Sequence, residues 1–364
     1  MKVYLDHNAT TPMRPEIRDL IIQIMENVGN ASSVHGYGRE AHKYVEDART
    51  QVADLCHVES SQVTFTSGAT ESINTVLHAY RNKRVLTSAI EHPAVLESAP
   101  HADRIPVTKN GVVDMNAYET LLNEGEPPAL ICLMLVNSET GVIQPIAEAA
   151  KLAHDKGALV FVDAVQGAGR IDLNMHKLGA DYLALSAHKM AGPQGVGALI
   201  AKKGIEAPKF MLGGGQEKNC RGGTYNTAGI AGMGLAAQIA KDNIAHYQEI
   251  TKMRDDMETR MHIFSNKLTI YGENAQRVGN TSNVGLQGMP AQTQLMSLDL
   301  DGIAVSSGSA CSSGSFKPSH VLKAMSANEE EAKSALRISL GWNTTSADID
   351  AFLESYEKII KRTQ

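Results

Sequence analysis

The sequence predicts an α/β fold: a mostly parallel central sheet covered by helices, with a second, smaller α+β part. Three observations predict it. Short apolar runs alternate with helical patterns through the first two-thirds of the chain. After about Gly232 the texture changes to a long helical stretch and then to shorter, mixed elements. The chain has 364 residues, 43% of them apolar, enough for one large domain or two.

Each element can be justified from its local pattern. "QVTFTS" reads as a strand and "ESINTVLHAY" after it as a helix. "RVLTSAI", "ALICLMLVN", "ALVFVDA", "DYLALSA" and "GVGALIA" read as further strands. Uninterrupted runs of this kind suit strands buried on both faces, and intervening helices make their neighbours parallel. One such helix, "IAEAAKLAHDKG", ends in a glycine that suits a left-handed cap. The stretch from "AAQIAKD" to "FSNKL" is helical, as one helix or two. Beyond it, "TSNVGLQG", "QLMSLDLDG" and "SALRISLGW" are short mixed elements, and "SADIDAFLESYEKIIKRT" is a closing helix.

Composition excludes several classes of function. A net charge of −6 with scattered Lys and Arg leaves no footprint for nucleic acid or anionic lipid. Cys56, Cys132, Cys220 and Cys311 form no Cys-x-x-Cys pair, so neither a zinc ribbon nor a disulfide framework is expected. Cys56 and Cys132 read as core residues, and Cys220 as incidental. His35, His42, His57 and His78 share no metal-ligand spacing, and no metal site is expected. "MKVYLDHNATTP" has no apolar signal core, and no apolar stretch reaches the roughly 18 residues of a membrane span. The expected compartment is reducing and cytoplasmic.

Ligands of open parallel sheets bind beyond the carboxyl ends of the strands, so the residues just after each apolar run matter most. "TSGATES" turns through a glycine into a helix start, where Ser67 and Thr70 lie near free backbone N–H groups. That is a phosphate-sized anion site, although a capped helix explains the same residues. Asn137 ends the next useful run, in "LVNSETG". Asp163 and Gln166 come next in "VDAVQG", and Ser186, His188 and Lys189 in "LSAHK". A carboxylate straight after "LVFV" needs a cationic partner. A lysine straight after "YLALSAH" is either solvated or an amine tuned for Schiff-base chemistry. An anion cradle, an acid for a ring N–H⁺ and such a lysine are together what pyridoxal phosphate requires. His92, in "SAIEHPAV", could stack on the ring.

"SSGSACSSGS" sets Cys311 among serines and glycines, where a thiol has no bulky apolar neighbour to bury it. With "YLDHNATTP", "TSGATES", "EHPAV", "VNSETG", "VDAVQGAG", "SAHKMAGPQGVGAL", "GGGQE", "RGGTYN", "KPSHVL" and "RISLGW", it resembles the pyridoxal-phosphate-dependent cysteine desulfurases of the class-V aminotransferase group. The resemblance covers nearly the whole chain. It implies the aspartate-aminotransferase-like fold (fold type I), with a large domain over 15–250. A small domain over 1–14 and 251–364 would carry the cysteine loop at about 306–318.

The resemblance also implies roles. Lys189 is the Schiff-base lysine, Asp163 the acid on the pyridine nitrogen, and Gln166 the donor to the ring hydroxyl. His92 is the stacking histidine and an acid–base group. Ala69, Thr70, Ser186 and His188 form the phosphate cradle, and Thr224 reaches it from the partner subunit of a homodimer. Asn137 and Arg337 hold the substrate carboxylate, for which a guanidinium offers two parallel hydrogen bonds. Cys311 accepts sulfur from L-cysteine as a persulfide, leaving L-alanine, and passes it to an acceptor such as an iron–sulfur scaffold. It could also touch a cluster transiently. A serine- and glycine-rich loop would let one thiol both attack the substrate sulfur and carry the product outward. Long-loop members continue with a C-terminal extension that docks a scaffold; this chain stops soon after its last helix, so the resemblance does not carry that contact over. The alternatives are a selenocysteine lyase or another class-V enzyme, and a scaffold built on a lapsed enzyme fold.

Overall fold

The computed structural model describes residues 2–307 and 318–362. Twelve strands are described. They are β1 (Val3–Tyr4), β2 (Val63–Thr66), β3 (Val85–Ser88), β4 (Asp103–Ile105), β5 (Leu130–Met134), β6 (Leu159–Asp163), β7 (Tyr182–Ser186), β8 (Gly197–Ala201), β9 (Leu268–Ile270), β10 (Thr281–Leu286), β11 (Ile303–Ala304) and β12 (Ala335–Ser339). Seven of them form one sheet in the order β2-β8-β7-β6-β5-β3-β4. β8 pairs antiparallel with both β2 and β7, and the remaining pairs are parallel.

The apolar runs are continuous because both faces of this sheet are covered. Side chains alternate between faces along a strand. Ile131, Leu133, Val160, Val162, Leu183 and Leu185 enter one core with the helices Gly36–Cys56, Ile146–Asp155 and Thr227–Asp242. Leu130, Cys132, Phe161, Tyr182 and Ala184 enter the other with the helix Ala69–Ala79. The helix Thr227–Asp242 lies so close to its neighbour that a Cβ at Gly234 would come within 2.4 Å of the Ala48 Cα.

The second part is built around an antiparallel sheet in the order β12-β10-β9. Its apolar core joins Val284, Leu286, Leu336 and Ile338 to the helices Tyr247–Phe264, Ala291–Leu300 and Ser346–Lys361. The last helix starts at a capping box: Thr345 accepts from the Asp348 amide, and the Asp348 carboxylate accepts from the Thr345 amide. The N-terminal residues Val3 and Leu5 also belong to this core, because β1 pairs parallel with β11.

Local differences from the sequence reading have simple causes. The long helical stretch is two helices, broken at Asn243 by a tight turn. "QLMSLDL" is a helix, Ala291–Leu300, although its apolar residues do not line one face. β4 is a strand despite two charged residues in three, because it pairs with β3 at the sheet edge. Among the described residues no helix is long and apolar enough to cross a membrane.

Candidate active site

The strand ends of the large sheet converge on one crevice. Lys189 comes after β7 on the short turn Ala187–Met190. Its Nζ donates to the carbonyl oxygens of Asn8 and, at 2.8 Å, of Ala9. Burial lowers its pKa to about 7, and the guanidinium groups of Arg337 and Arg170 push the same way. Asp6 and Asp163 oppose them. Near neutral pH this amine can therefore both gain and lose a proton.

Asp163 is the last residue of β6 and is buried. One carboxylate oxygen accepts from the Val165 amide at 3.0 Å. Burial raises its pKa, while His92 and Lys189 favour its charged form. Among the described residues neither Asp163 nor Lys189 takes part in a salt bridge within 4.0 Å. His92 caps the short helix Pro93–Leu96, its Nδ1 accepting from the Ala94 amide at 3.1 Å. That bond leaves the proton of the neutral ring on Nε2. Partial burial lowers its pKa, with Asp163 opposing and Lys189 and His320 reinforcing the shift.

Gln166 is held from two sides. Its Nε2 donates to the Asn8 carbonyl at 3.1 Å, and its Oε1 accepts from Arg170. The anion cradle lies at the start of the helix Ala69–Ala79. Gly68 caps that helix without a side-chain bond, and the amides of Ala69 and Thr70 have no acceptor among the described residues. A Cβ at Gly68 would meet nothing within 4 Å, so the space before the helix is open. A Cβ at Gly197 would lie 2.6 Å from the Gly68 Cα, so only glycine lets β8 come this close to the cap. Ser186 is buried at the end of β7, and His188 Nδ1 lies 3.2 Å from Thr10 Oγ1. Burial lowers the His188 pKa to about 4, so its imidazole is neutral. Thr224 is exposed and lines a cleft with Ser67, Gly195 and Arg221.

These residues fit pyridoxal phosphate. Free amides at a helix start suit its phosphate, an unpaired buried carboxylate suits its ring nitrogen, and an amine near neutrality suits its carbonyl.

The other predicted residues divide. Arg337, on β12, is buried; its Nη2 pairs with Asp6 at 2.7 Å and its Nη1 donates to the Ser138 carbonyl at 3.3 Å. Its Nε is buried without a partner, so a donor remains for a further anion. Asn137 differs. Its Oδ1 accepts from the amides of Glu139 and Thr140 at 2.9 and 3.0 Å, and its Nδ2 donates to the Ile90 carbonyl at 3.2 Å. It is fully buried, and its side chain builds the turn after β5. Cys311 lies outside the described residues.

Sequence reasoning missed four groups. Asn8 supplies the carbonyl that both Lys189 and Gln166 use. Arg170 is buried with an unpartnered Nε, four residues beyond Gln166. Glu91, beside His92, is fully buried; it accepts from Ser88 Oγ at 2.5 Å and the Met134 amide at 2.8 Å. Burial pushes its pKa up to about 8. Glu139 is buried and accepts from Ser319 Oγ at 2.6 Å. For the three charged ones the available signal was proximity: each stands within four positions of a chosen residue, in "IEHP", "VQGAGR" and "NSET".

Sheet, crevice and lysine together define a fold-type-I pyridoxal-phosphate enzyme. The chain belongs to the aminotransferase class-V family, whose model matches residues 3–352. It is 37% identical to the cysteine desulfurase IscS of Dictyoglomus turgidum, over 99% of this chain and 95% of that protein. It is 38% identical to a cysteine desulfurase of Cereibacter sphaeroides, over 99% and 96%. The NifS-like protein of Rickettsia africae superposes with a TM-score of 0.93 at 37% identity, covering 99% of this chain and all of that one.

Proposed function

We propose that this protein removes sulfur from L-cysteine with Lys189 as cofactor lysine and Cys311 as acceptor thiol, releasing L-alanine. The protein is a pyridoxal-phosphate-dependent cysteine desulfurase of the class-V family, as its relatives support. The observation that carries the reading is the convergence at the strand ends of Lys189, held on the Asn8 and Ala9 carbonyls, the buried Asp163 carboxylate and the open start of the helix Ala69–Ala79; the lowered pKa of Lys189 agrees with it.

Bound in the crevice, pyridoxal phosphate supplies an electron sink for the pair left when the substrate α-proton departs. Asp163 would hold a proton on the cofactor's ring nitrogen, and Gln166 would donate to its ring hydroxyl. Ala69, Thr70, Ser186 and His188 would hold the phosphate, with Thr224 contributed across a homodimer. Lys189 Nζ takes the α-proton, for which a pKa near 7 is well matched. Arg337, with a donor to spare, takes the substrate carboxylate. Asn137 assists only if its turn releases one of its bonds.

The Cys311 thiolate attacks the substrate sulfur. A sulfur–sulfur bond forms, the carbon–sulfur bond breaks, and its electron pair stays on carbon to be protonated, giving alanine. His92 is the acid–base group for this proton. The persulfide then passes to an acceptor protein such as an iron–sulfur scaffold, in the cytoplasm. The division into a cofactor-holding part at 15–250 and a part at 1–14 and 251–364 is supported by the second core, which joins Val3 and Leu5 to Met257 and later residues, with the helix Tyr247–Phe264 crossing the boundary and bringing Ile250 into that core.

The test is alanine release from L-cysteine by wild type and by Cys311→Ala, with reductant present and sulfide followed in parallel. Alanine and sulfide from the wild type and neither from the variant are expected. Equal alanine from both would remove Cys311 as acceptor and favour a lyase that needs no protein thiol.

A further inference from the structure

The residues flanking 308–317 are anchored to one place. On the near side, Ser306 pairs with Arg337 of β12: each amide donates to the other's carbonyl, at 3.1 and 2.6 Å. Arg337 in turn donates from Nη1 to the Ser138 carbonyl. On the far side, Ser319 Oγ donates to the carboxylate of Glu139, the very next residue, at 2.6 Å. Both anchors thus meet on Ser138 and Glu139.

That dipeptide is itself held firmly. The Asn137 side chain closes the turn by accepting from Glu139 and Thr140, and Asn283 Nδ2 donates to the Glu139 carbonyl at 3.3 Å. Two further ties reinforce the far side. His320 Nε2 lies 3.0 Å from the carbonyl of Glu91, beside His92. Val321 and Leu322 pack with Ile90 and Met134 at the ends of the large sheet. Glu139, Ser319 and Asn283 are all buried, so breaking the Glu139–Ser319 bond leaves a buried acceptor unmet.

We propose that Glu139 and Ser319 are positioning residues: they pin the far end of the cysteine-bearing segment to the turn that also anchors its near end through Arg337. Both described ends of that segment would then start from a fixed base beside Arg337. This rests on the reading of Cys311 as acceptor thiol. Effective molarity depends on such placement, and a misplacement of about 1 Å costs roughly a hundredfold.

The experiment compares holoenzymes of wild type, Ser319→Ala, Ser319→Thr, Glu139→Gln and Cys311→Ala. Three quantities are read: the change in the cofactor's visible band on mixing with L-cysteine, the rate of alanine release, and cleavage by chymotrypsin after Phe316. In Ser319→Ala the colour change keeps its wild-type amplitude and rate, while kcat for alanine falls roughly 10- to 100-fold with KM nearly unchanged. Its cleavage after Phe316 is faster. Ser319→Thr keeps the hydroxyl and Glu139→Gln keeps an acceptor, so both restore most of the rate. The inference is overturned if Ser319→Ala releases alanine like wild type while Cys311→Ala releases none, or if colour change and alanine fall together. If Cys311→Ala releases alanine at the wild-type rate, the acceptor reading fails, and the inference is withdrawn with it.

Discussion

The large and small sheets place function differently. The seven-stranded sheet has two apolar faces, and its reactive residues stand at its strand ends. The small sheet has one face of each kind. On β10 and β12, Val284 pairs with Leu336 and faces the second core. Thr281 pairs with Ser339 and Asn283 with Arg337, and these polar residues face the large part. From that face Thr281 accepts from Asn8 Nδ2 at 2.9 Å, and Asn283 and Arg337 reach the turn after β5. A sheet buried on both sides can offer only its ends to a ligand. A sheet with a polar side can offer its surface: most of the buried polar groups there are paired, and an unpartnered one such as Arg337 Nε is left for a ligand.

Three predictions sharpen this contrast. The largest effect is at a strand end. Lys189→Ala removes the visible absorption of the bound cofactor and lowers alanine release by at least ~10²–10⁴-fold, as the spectrum and an alanine assay would register. A coloured, active variant would mean that the strand-end crevice is not the reactive place.

Stability separates the two faces. Leu133→Ala, in the apolar core of the large sheet, costs ~2–5 kcal/mol. Thr281→Val, on the polar face of the small sheet, strands the Asn8 amide donor and costs ~1–3 kcal/mol. Urea unfolding of both variants measures the difference. A neutral Thr281→Val would show that the polar face is not held by its pairing.

The smallest effects are slopes of stability against pH in the cofactor-free protein. Lys189 has its folded pKa lowered to about 7 from an ordinary 10.5, so between these values the unfolded chain binds more protons and stability rises with pH. Glu91 has its folded pKa raised to about 8 from 4.5, so the folded chain binds more protons in that window and stability falls as pH rises through it. Lys189→Met should flatten the rise above pH 7, and Glu91→Gln the fall below pH 8, in urea midpoints taken across both windows. If neither slope changes, burial is not setting these two pKa values.

Much of the fold and site is legible in the chain, for reasons particular residues make clear. "LICLM" and "LVFVD" announce themselves because strands covered on both sides must be apolar throughout. β8 is equally legible as a strand, but an apolar run carries no direction, and its antiparallel course comes from pairing with β2 and β7. Asp163 and Lys189 stand out because charge straight after an apolar run is costly unless used. Glu91, Arg170 and Glu139 do not, because a charged residue in a turn looks solvated until the fold buries it. Asn137 is legible as a polar residue ending an apolar run, but the bonds its side chain makes within the turn after β5 come only from the fold.

By itself, then, the sequence determined the layered fold, the strand ends and the residue types gathered there, since apolar runs and the polar residues ending them are local properties of the chain. Only the tertiary structure decided which of those groups meet and how they titrate. Lys189 draws its near-neutral pKa from burial that no local pattern records, and then from Arg337 and Arg170, which only the closed fold brings near it. Likewise Ser319 and Glu139 become partners only because two sheets close on one another, bringing residues 180 positions apart within a hydrogen bond.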